Sequence, residues 1–273
     1  MEFSNKTVLV TGSTRGIGKA IAIKLAQHGA NTVIVGKTVD PHPKLEGTIF
    51  TAAEEIAKAG PGNVLPLQGD IRYDESIEHI VKTTIDTFGG IDILINNASS
   101  INLNNSELLD QKRYDLMHDI NVRGTFMMSK ACIPHLKKAS NPHILTLSPP
   151  INLDPTWFGK HLAYTMAKYG MSMVAMGLAE EFKQHRIASN ALWPKTTIAT
   201  AAVQNLLGGD FLIQRSRTPE IVADAAYEIL KKPSFECTGN FFIDEDILAA
   251  AGVSNFDKYA VNKEMKLMMD LFL

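Results

Sequence analysis

VLVTGSTRGIG, residues Val8–Gly18, sets a short β-branched apolar run directly against a glycine-rich turn and the start of a helix. The run reads as a buried strand. In the helix predicted over Gly16–His28, Ile17, Ile21 and Leu25 recur at four-residue spacing, and Ala20 and Ala22 keep it slim enough to lie on a sheet. The same alternation continues through NTVIVG (31–36), NVLPLQGD (63–70), IDILINNA (91–98), PHILTLS (142–148) and IASNALWP (187–194), with helical periodicity between them, as over Asp74–Phe88. A last strand is predicted over Asn240–Ile243. Runs that are apolar throughout suit parallel strands covered on both faces. The expected fold is α/β, a doubly wound parallel sheet of about seven strands with helices on both faces. One domain over residues 1–273 is expected, with a C-terminal extension at about 250–273.

Three loops break the rhythm at the carboxyl ends of strands, where an open α/β sheet holds its ligands: Thr38–Gly47, Pro149–Lys160 and Ile198–Ser216. The first strand ends in TGSTRGIG, whose glycines are Gly12, Gly16 and Gly18. Gly12 permits the tight turn, Gly16 lets backbone approach a pyrophosphate, and Gly18 lets the helix lie close to the sheet. The free N–H groups and positive end of that helix then face phosphates, which predicts a dinucleotide. The second strand ends in Gly36 and Lys37 rather than in the carboxylate that bonds the ribose hydroxyls of NAD. A lysine there attracts the 2′-phosphate of NADP, and Arg15 offers a fork to the same region. NADP(H) is therefore the expected cofactor; Asp40, slightly beyond the usual acidic position, keeps NAD open should it fold back. Asp70 closes the third strand, placed for the adenine edge, and Asn96, Asn97, Ala98 and Ser99 close the fourth with side chains small enough for a cofactor to lie on backbone.

Tyr164 and Lys168 stand four apart in AYTMAKYG, within a helix expected over His161–His185, so they share one face one turn apart. A free tyrosine has a pKa near 10, and about three units of depression, ~4 kcal/mol, are needed for useful phenolate near neutral pH. A fixed ammonium and a positive nicotinamide ring are expected to supply it. Ser148 ends the fifth strand where a hydroxyl would orient a substrate carbonyl, and Asn121, in DINVRGTF, is placed to hold a relay water behind Lys168. Each has a plainer reading: Ser148 as a turn residue, Asn121 as a helix-bending polar residue, Lys37 as a solvated charge. Trp157, Phe158, Phe211 and Leu212 lie on the two later loops, either as an apolar substrate wall or as loop packing, and His161, one turn before Tyr164, is a helix-start residue or a substrate contact.

Composition narrows the classes. A net charge of −2 gives no electrostatic case for nucleic acid or an anionic membrane. Two cysteines, Cys132 and Cys237, are too few for a disulfide framework and suit a reducing compartment, with Cys132 read as core. The amino terminus runs straight into a strand without the features of a signal peptide, and no run of about 20 apolar residues spans a bilayer. The ending LMMDLFL (267–273) reads as a lid or docking segment rather than an anchor. A soluble cytoplasmic protein is expected, with no metal.

TGSTRGIG, NNAS, Asn121, Ser148 and YTMAK together resemble the motif set of the short-chain dehydrogenase/reductase superfamily over nearly the whole chain. KTVDPHPKLEGTIFTAAEEI, SKACIPHLKK, ILTLSPPINLDPTWF and ALWPKTTIATAA are similar to its hydroxysteroid dehydrogenase-like branch. The resemblance implies a Rossmann-type fold, an oxidoreductase acting on CH–OH groups, and a homo-oligomer, dimer or tetramer, acting on a small-molecule substrate. It implies cofactor contacts from Gly12, Ser13, Thr14, Arg15, Gly16, Ile17, Gly18, Lys37, Asp70, Ile71, Asn97, Ala98, Ser99, Tyr164, Lys168 and Pro194. It implies Asn121, Ser148, Tyr164 and Lys168 as the catalytic set, with Tyr164 moving the proton.

Two departures bear on substrate. Ser148 precedes Tyr164 by more than the usual gap, with Pro149-Pro150 stiffening the extra loop, and the usual Pro-Gly reads Pro194-Lys195, which sends Lys195 toward the carboxamide pocket or to solvent. The sterol-carrier-like domain and peroxisomal address of longer relatives do not follow in this sequence. A catalytically silent NADPH-binding or scaffolding protein is the alternative of a different class.

Overall fold

The computed structural model describes residues 1–41 and 47–273. Seven strands, β1 (Thr7–Thr11), β2 (Asn31–Gly36), β3 (Val64–Gln68), β4 (Ile93–Asn96), β5 (His143–Thr146), β6 (Ala188–Trp193) and β7 (Phe241–Ile243), form one sheet in the order β3-β2-β1-β4-β5-β6-β7. Every pairing is parallel. The order reverses between β1 and β4, so the loops after these two strands open a crevice at one end of the sheet.

Side chains alternate across each strand, and the two faces collect two cores. Val8 and Val10 join the helices α1 (Gly16–Gln27), α2 (Ile49–Ala59) and α8 (Glu220–Leu230), through Ile21, Leu25, Ile49, Ile56, Val222 and Ile229. Leu9, between them in sequence, faces the other way, toward α3 (Asp74–Phe88) and α5 (Thr125–Leu136), through Ile77, Ile80, Met128 and Leu136. That explains why β1 is apolar without alternation: all five residues are buried. Cys132 lies in this second core, where burial pushes its thiol up to about 12 and leaves it inert. The remaining helices are α4 (Gln111–His118), α6 (Pro155–Glu181), the single turn α7 (Gly209–Ile213) and α9 (Asp244–Ala250).

Three elements depart from the sequence reading. Helix α6 starts at Pro155, six residues before His161, so the latter half of the expected loop Pro149–Lys160 is helical. The Asp154 carboxylate caps it by accepting from the Thr156 N–H at 2.8 Å, and Pro155 occupies the first turn, where its missing N–H costs nothing. A break at His161 (φ −156°, ψ 59°) then separates these first turns from the rest. Second, Asp119–Gly124 winds as a π-helix between α4 and α5, a form that often marks functional sites. Third, residues 42–46 of the expected loop Thr38–Gly47 lie outside the described residues.

The C-terminal segment runs back over the loop that follows β6. The Thr197 N–H donates to Met268 O (2.9 Å), the Asp270 N–H donates to Lys195 O (3.1 Å), and Thr196 pairs antiparallel with Met269.

His143, at the start of β5, is fully buried and meets the Lys232 carbonyl at 3.0 Å through Nε2. Burial drops its pKa to about 4. The unfolded chain, with an ordinary value near 6.5, takes the proton first, so stability is full above that value and is lost as pH falls toward the folded value. From pH 7 to pH 5 the expected loss is about 2 kcal/mol. Urea unfolding at both pH values should show it in the wild type and not in His143→Gln; equal pH dependence in the two proteins would refute the assignment.

Candidate active site

The loop after β1 is built to bring backbone close to a ligand. Gly12 and Gly16 hold φ +66° and +58°, the left-handed region that favours glycine. A Cβ on Gly12 would stand 2.8 Å from the Ala98 Cα, and one on Gly18 would stand 2.5 Å from the Asn97 Nδ2 and 2.7 Å from the Gly12 carbonyl oxygen. Gly18 therefore serves contact between the helix start and the end of β4. Asn97 supplies that contact: its Nδ2 donates to the carbonyls of Thr11 and Gly12, both at 2.9 Å, while its backbone N–H and that of Ala98 donate to the Thr11 hydroxyl. The buried Ser13 ties the loop to β2, donating to Val10 O and accepting from the Val35 N–H. Helix α1 begins behind this loop with no acidic residue in its first turn and no side-chain cap at Arg15. Its first N–H groups and positive end thus lie at the glycine turn, an arrangement that suits a pyrophosphate.

At the adenosine end, the Lys37 ammonium lies 3.6 Å from Asp70, with its side chain 56% exposed. Asp70 is already engaged: Arg72 grips both carboxylate oxygens through Nε and Nη2, at 2.6–3.0 Å. These partners offset burial and hold the Asp70 carboxyl below its ordinary range. The Arg15 guanidinium donates to the Gly47 carbonyl at 3.0 Å. Ile71 packs in the core beneath, Ser99 is exposed, and Pro194 is buried.

Helix α6 lies along β5 and β6 and brings the other sequence-predicted residues together. The Lys168 ammonium donates to the Leu147 carbonyl at 2.6 Å, one residue before Ser148, and sits 5.0 Å from the Trp193 ring centroid. Ser172, one turn on, donates to the Pro149 carbonyl at 2.6 Å, and the Tyr169 hydroxyl donates to Asn152 O at 2.6 Å, so the loop after β5 is laced to this helix. Ser148 is buried, and its Oγ has no hydrogen-bond partner among the described residues. Asn121, in the π-helical turn, is wholly buried; its Oδ1 accepts from the Ser100 N–H (2.7 Å) and its Nδ2 donates to the Ser100 carbonyl (3.0 Å). Its side chain thereby fixes the segment after β4.

Tyr164 is 5% exposed and Lys168 2%. The expected depression of the phenol does not arise within the chain: burial raises the Tyr164 pKa, and the nearby Asp270 raises it further. Burial likewise lowers Lys168, with Asp270 opposing, and raises Asp270 well above the usual carboxylate range. Low dielectric penalises every charge here.

The cover is the C-terminal segment. Phe272, 1% exposed, stacks on the Tyr164 ring with centroids 6.1 Å apart. The Trp193 indole donates to Leu271 O at 2.9 Å. Phe272 holds φ +74°, a conformation that costs an aromatic residue about 1–3 kcal/mol. Burying its ring contributes about 1.5–3 kcal/mol, so the two nearly cancel.

Of the aromatic residues expected around the site, Trp157 and Phe158 join this cluster, whereas Phe211 is exposed and lies against Arg215. Lys195 takes neither expected direction: it pairs with Glu245 at 2.7 Å, while its backbone N–H donates to Asp244. Sequence reasoning missed Asp270, Phe272 and Trp193. The only signal for the first two was the apolar ending LMMDLFL, read as a lid segment.

Among the described residues no helix is long and apolar enough to cross a membrane. The short chain dehydrogenase family model matches residues 6–208. The chain is 57% identical over 267 residues to hydroxysteroid dehydrogenase-like protein 2 of Danio rerio and 56% identical to that of Homo sapiens, covering 98% of this chain and 63% of each relative. It thus spans less than two thirds of the length of these curated relatives. A crystal structure of a short chain dehydrogenase from Mycobacterium thermoresistibile superposes with a TM-score of 0.93 at 53% identity, covering 99% of this chain and 95% of that one. With its seven-stranded parallel sheet, glycine turn and matched family model, this chain belongs to the short-chain dehydrogenase/reductase family of oxidoreductases.

Proposed function

We propose that the chain interconverts a carbonyl and a secondary alcohol on an apolar substrate with NADP(H), Tyr164 carrying the proton. The observation that carries the reading is the convergence of Lys168, Ser148 and Tyr164: the lysine ammonium reaches the carbonyl beside Ser148 from one turn along the helix that bears the phenol. The nicotinamide, when bound, supplies or accepts the hydride. Ser148 Oγ, unpartnered within the described chain, hydrogen-bonds the substrate oxygen. Burial keeps the Tyr164 phenol protonated near neutral pH, so its Oη delivers a proton to the oxygen as that oxygen gains negative charge. Lys168 holds the ribose and offers positive charge to the phenol in the reverse direction, when Tyr164 must take the proton. Asn121 fixes the segment at Ser100 and holds a relay water behind Lys168. The aromatic surroundings of Tyr164 favour an apolar substrate, and the relatives' hydroxysteroid dehydrogenase-like name points the same way.

For the cofactor, Gly12, Ser13, Thr14, Gly16, Ile17 and Gly18 hold the pyrophosphate, Asn97, Ala98, Ser99 and Pro194 border the remainder, and Asp70 with Ile71 flanks the adenine. Lys37 and Arg15 take the 2′-phosphate, because an exposed ammonium follows β2 and a fork-shaped guanidinium projects from the glycine turn. A homo-oligomer in the cytoplasm is part of the same reading.

Lys37→Glu should weaken NADPH binding by about tenfold or more and narrow or reverse the preference over NADH, because it sets a second carboxylate beside Asp70. Fluorescence titration of both cofactors checks this; equal wild-type affinities would overturn the NADP assignment. The covering of Tyr164 by Phe272 is what favours the silent-scaffold reading. A panel of ketones, aldehydes and hydroxyacyl compounds, followed by nicotinamide absorbance, separates the two: binding of NADPH without any turnover would favour the scaffold.

A further inference from the structure

Phe272 sits inside a cage of rings. Its centroid lies 5.5 Å from Trp157, 5.8 Å from His161, 6.1 Å from Tyr164, 5.2 Å from Tyr169 and 6.0 Å from Trp193. Four of these cage residues are supplied by one helix, α6, and the fifth by the end of β6, so the cage stands on rigid elements while its occupant arrives from a remote segment. The occupant is weakly secured. Its backbone is left-handed, its own carbonyl accepts only a long 3.4 Å bond from Asn152, and its burial little more than offsets that backbone conformation.

The cage also has a polar address. His161 Nδ1 meets Thr165 Oγ1 at 3.0 Å, and that hydroxyl spends its hydrogen on the Trp157 carbonyl at 2.5 Å. The hydroxyl oxygen must therefore accept, so Nδ1 carries the hydrogen. Burial lowers the His161 pKa and keeps the ring neutral, which leaves a lone pair on Nε2. That Nε2 is buried and has no hydrogen-bond partner among the described residues. The break in α6 at His161 places this ring inside the cluster rather than on the helix surface.

We propose that this aromatic cage is a substrate subsite for a flat, apolar ring bearing a hydrogen-bond donor, that Phe272 is its displaceable stand-in, and that His161 Nε2 accepts the donor. The inference rests on the reading of Tyr164 as the proton carrier, since the cage wall includes that ring. Beyond His161 Nε2, the chain also leaves the buried Ser148 hydroxyl, just past the end of β5, without a partner among the described residues.

The test is binding without cofactor, so it stands apart from turnover. The full chain and its Phe272→Ala variant are titrated with 2-naphthol and with 2-methoxynaphthalene, which has the same rings but no donor. Phe272→Ala should bind 2-naphthol at least about tenfold more tightly than wild type does, since the competing ring is gone. Within that variant 2-naphthol should exceed the methoxy probe by about fivefold, and adding His161→Phe should erase the difference. Unchanged affinity in Phe272→Ala overturns the subsite, and equal affinity for the two probes overturns the role of His161. Should Phe272→Ala lose its cooperative unfolding transition, Phe272→Leu gives the same comparison with a smaller expected gain. Probe binding gained in a protein that turns over no carbonyl compound would sink the oxidoreductase reading and leave the subsite standing.

Discussion

Tyr164→Phe is expected to lower turnover by about 10²–10⁴-fold, the usual worth of a positioned proton donor, while NADPH affinity stays within about threefold. The substitution removes one oxygen from a ring that is already fully packed, against Phe272 and His161, so no cavity opens and the fold has no reason to respond. That makes it a clean probe: rate and binding separate. Stopped-flow measurement of hydride transfer, with NADPH titration alongside, reads both quantities. Turnover equal to wild type would remove Tyr164 from the chemistry and with it the proposed mechanism. A parallel fall in cofactor affinity would mean that the phenol was structural.

The second large effect is expected at Gly18. Valine there would set its Cβ 2.5 Å from the Asn97 Nδ2 and 2.7 Å from the Gly12 carbonyl oxygen, distances that side chains do not tolerate. Asn97 must move, and with it go the two 2.9 Å bonds that hold the ends of β1 and β4 together. Overpacking of this kind costs about 1–3 kcal/mol. The loss of NADPH affinity should be larger, about a hundredfold, because the displaced carbonyl belongs to the phosphate loop itself. Thermal unfolding and cofactor titration check the pair. Lowered stability with intact binding would place Gly18 in packing alone and move the pyrophosphate elsewhere.

Much of the architecture was legible because it is written in short-range patterns. Apolar runs of five or six residues announced the parallel strands, since burial on both faces forbids alternation, and α3 falls on Asp74–Phe88 as the periodicity predicts. TGSTRGIG and the four-residue step from Tyr164 to Lys168 were equally local. What escaped was set by distance or by competition. Phe272 meets Tyr164 across more than a hundred residues of chain, and nothing in LMMDLFL says where it returns. Spacing alone did not show that the Asp70 side chain is gripped by Arg72 two residues on, a turn interaction that shares the oxygens an adenine edge would use. Nor did it show that the π-helical turn aims the Asn121 amide at Ser100. That the chain alone raises the phenol's pKa was hidden too, because the burial of the ring and the neighbouring Asp270 are set by the return of the tail.

The strand-like return of the tail fixes how the cover can move. Met268, Met269 and Asp270 are bonded to Thr197, Thr196 and Lys195, so the segment is pinned up to two residues before Phe272. Beyond that pin, one bond from the Trp193 indole to Leu271 O and one long bond from Asn152 restrain it. Displacement of the ring would therefore leave the pairings of Met268, Met269 and Asp270 intact. Release of a ring packed this deeply is a lid-type opening of microseconds to seconds, which overlaps the about 1–10³ turnovers per second common among enzymes. A cover of that kind would shut water out while closed, and its opening would bear on the pace of each cycle.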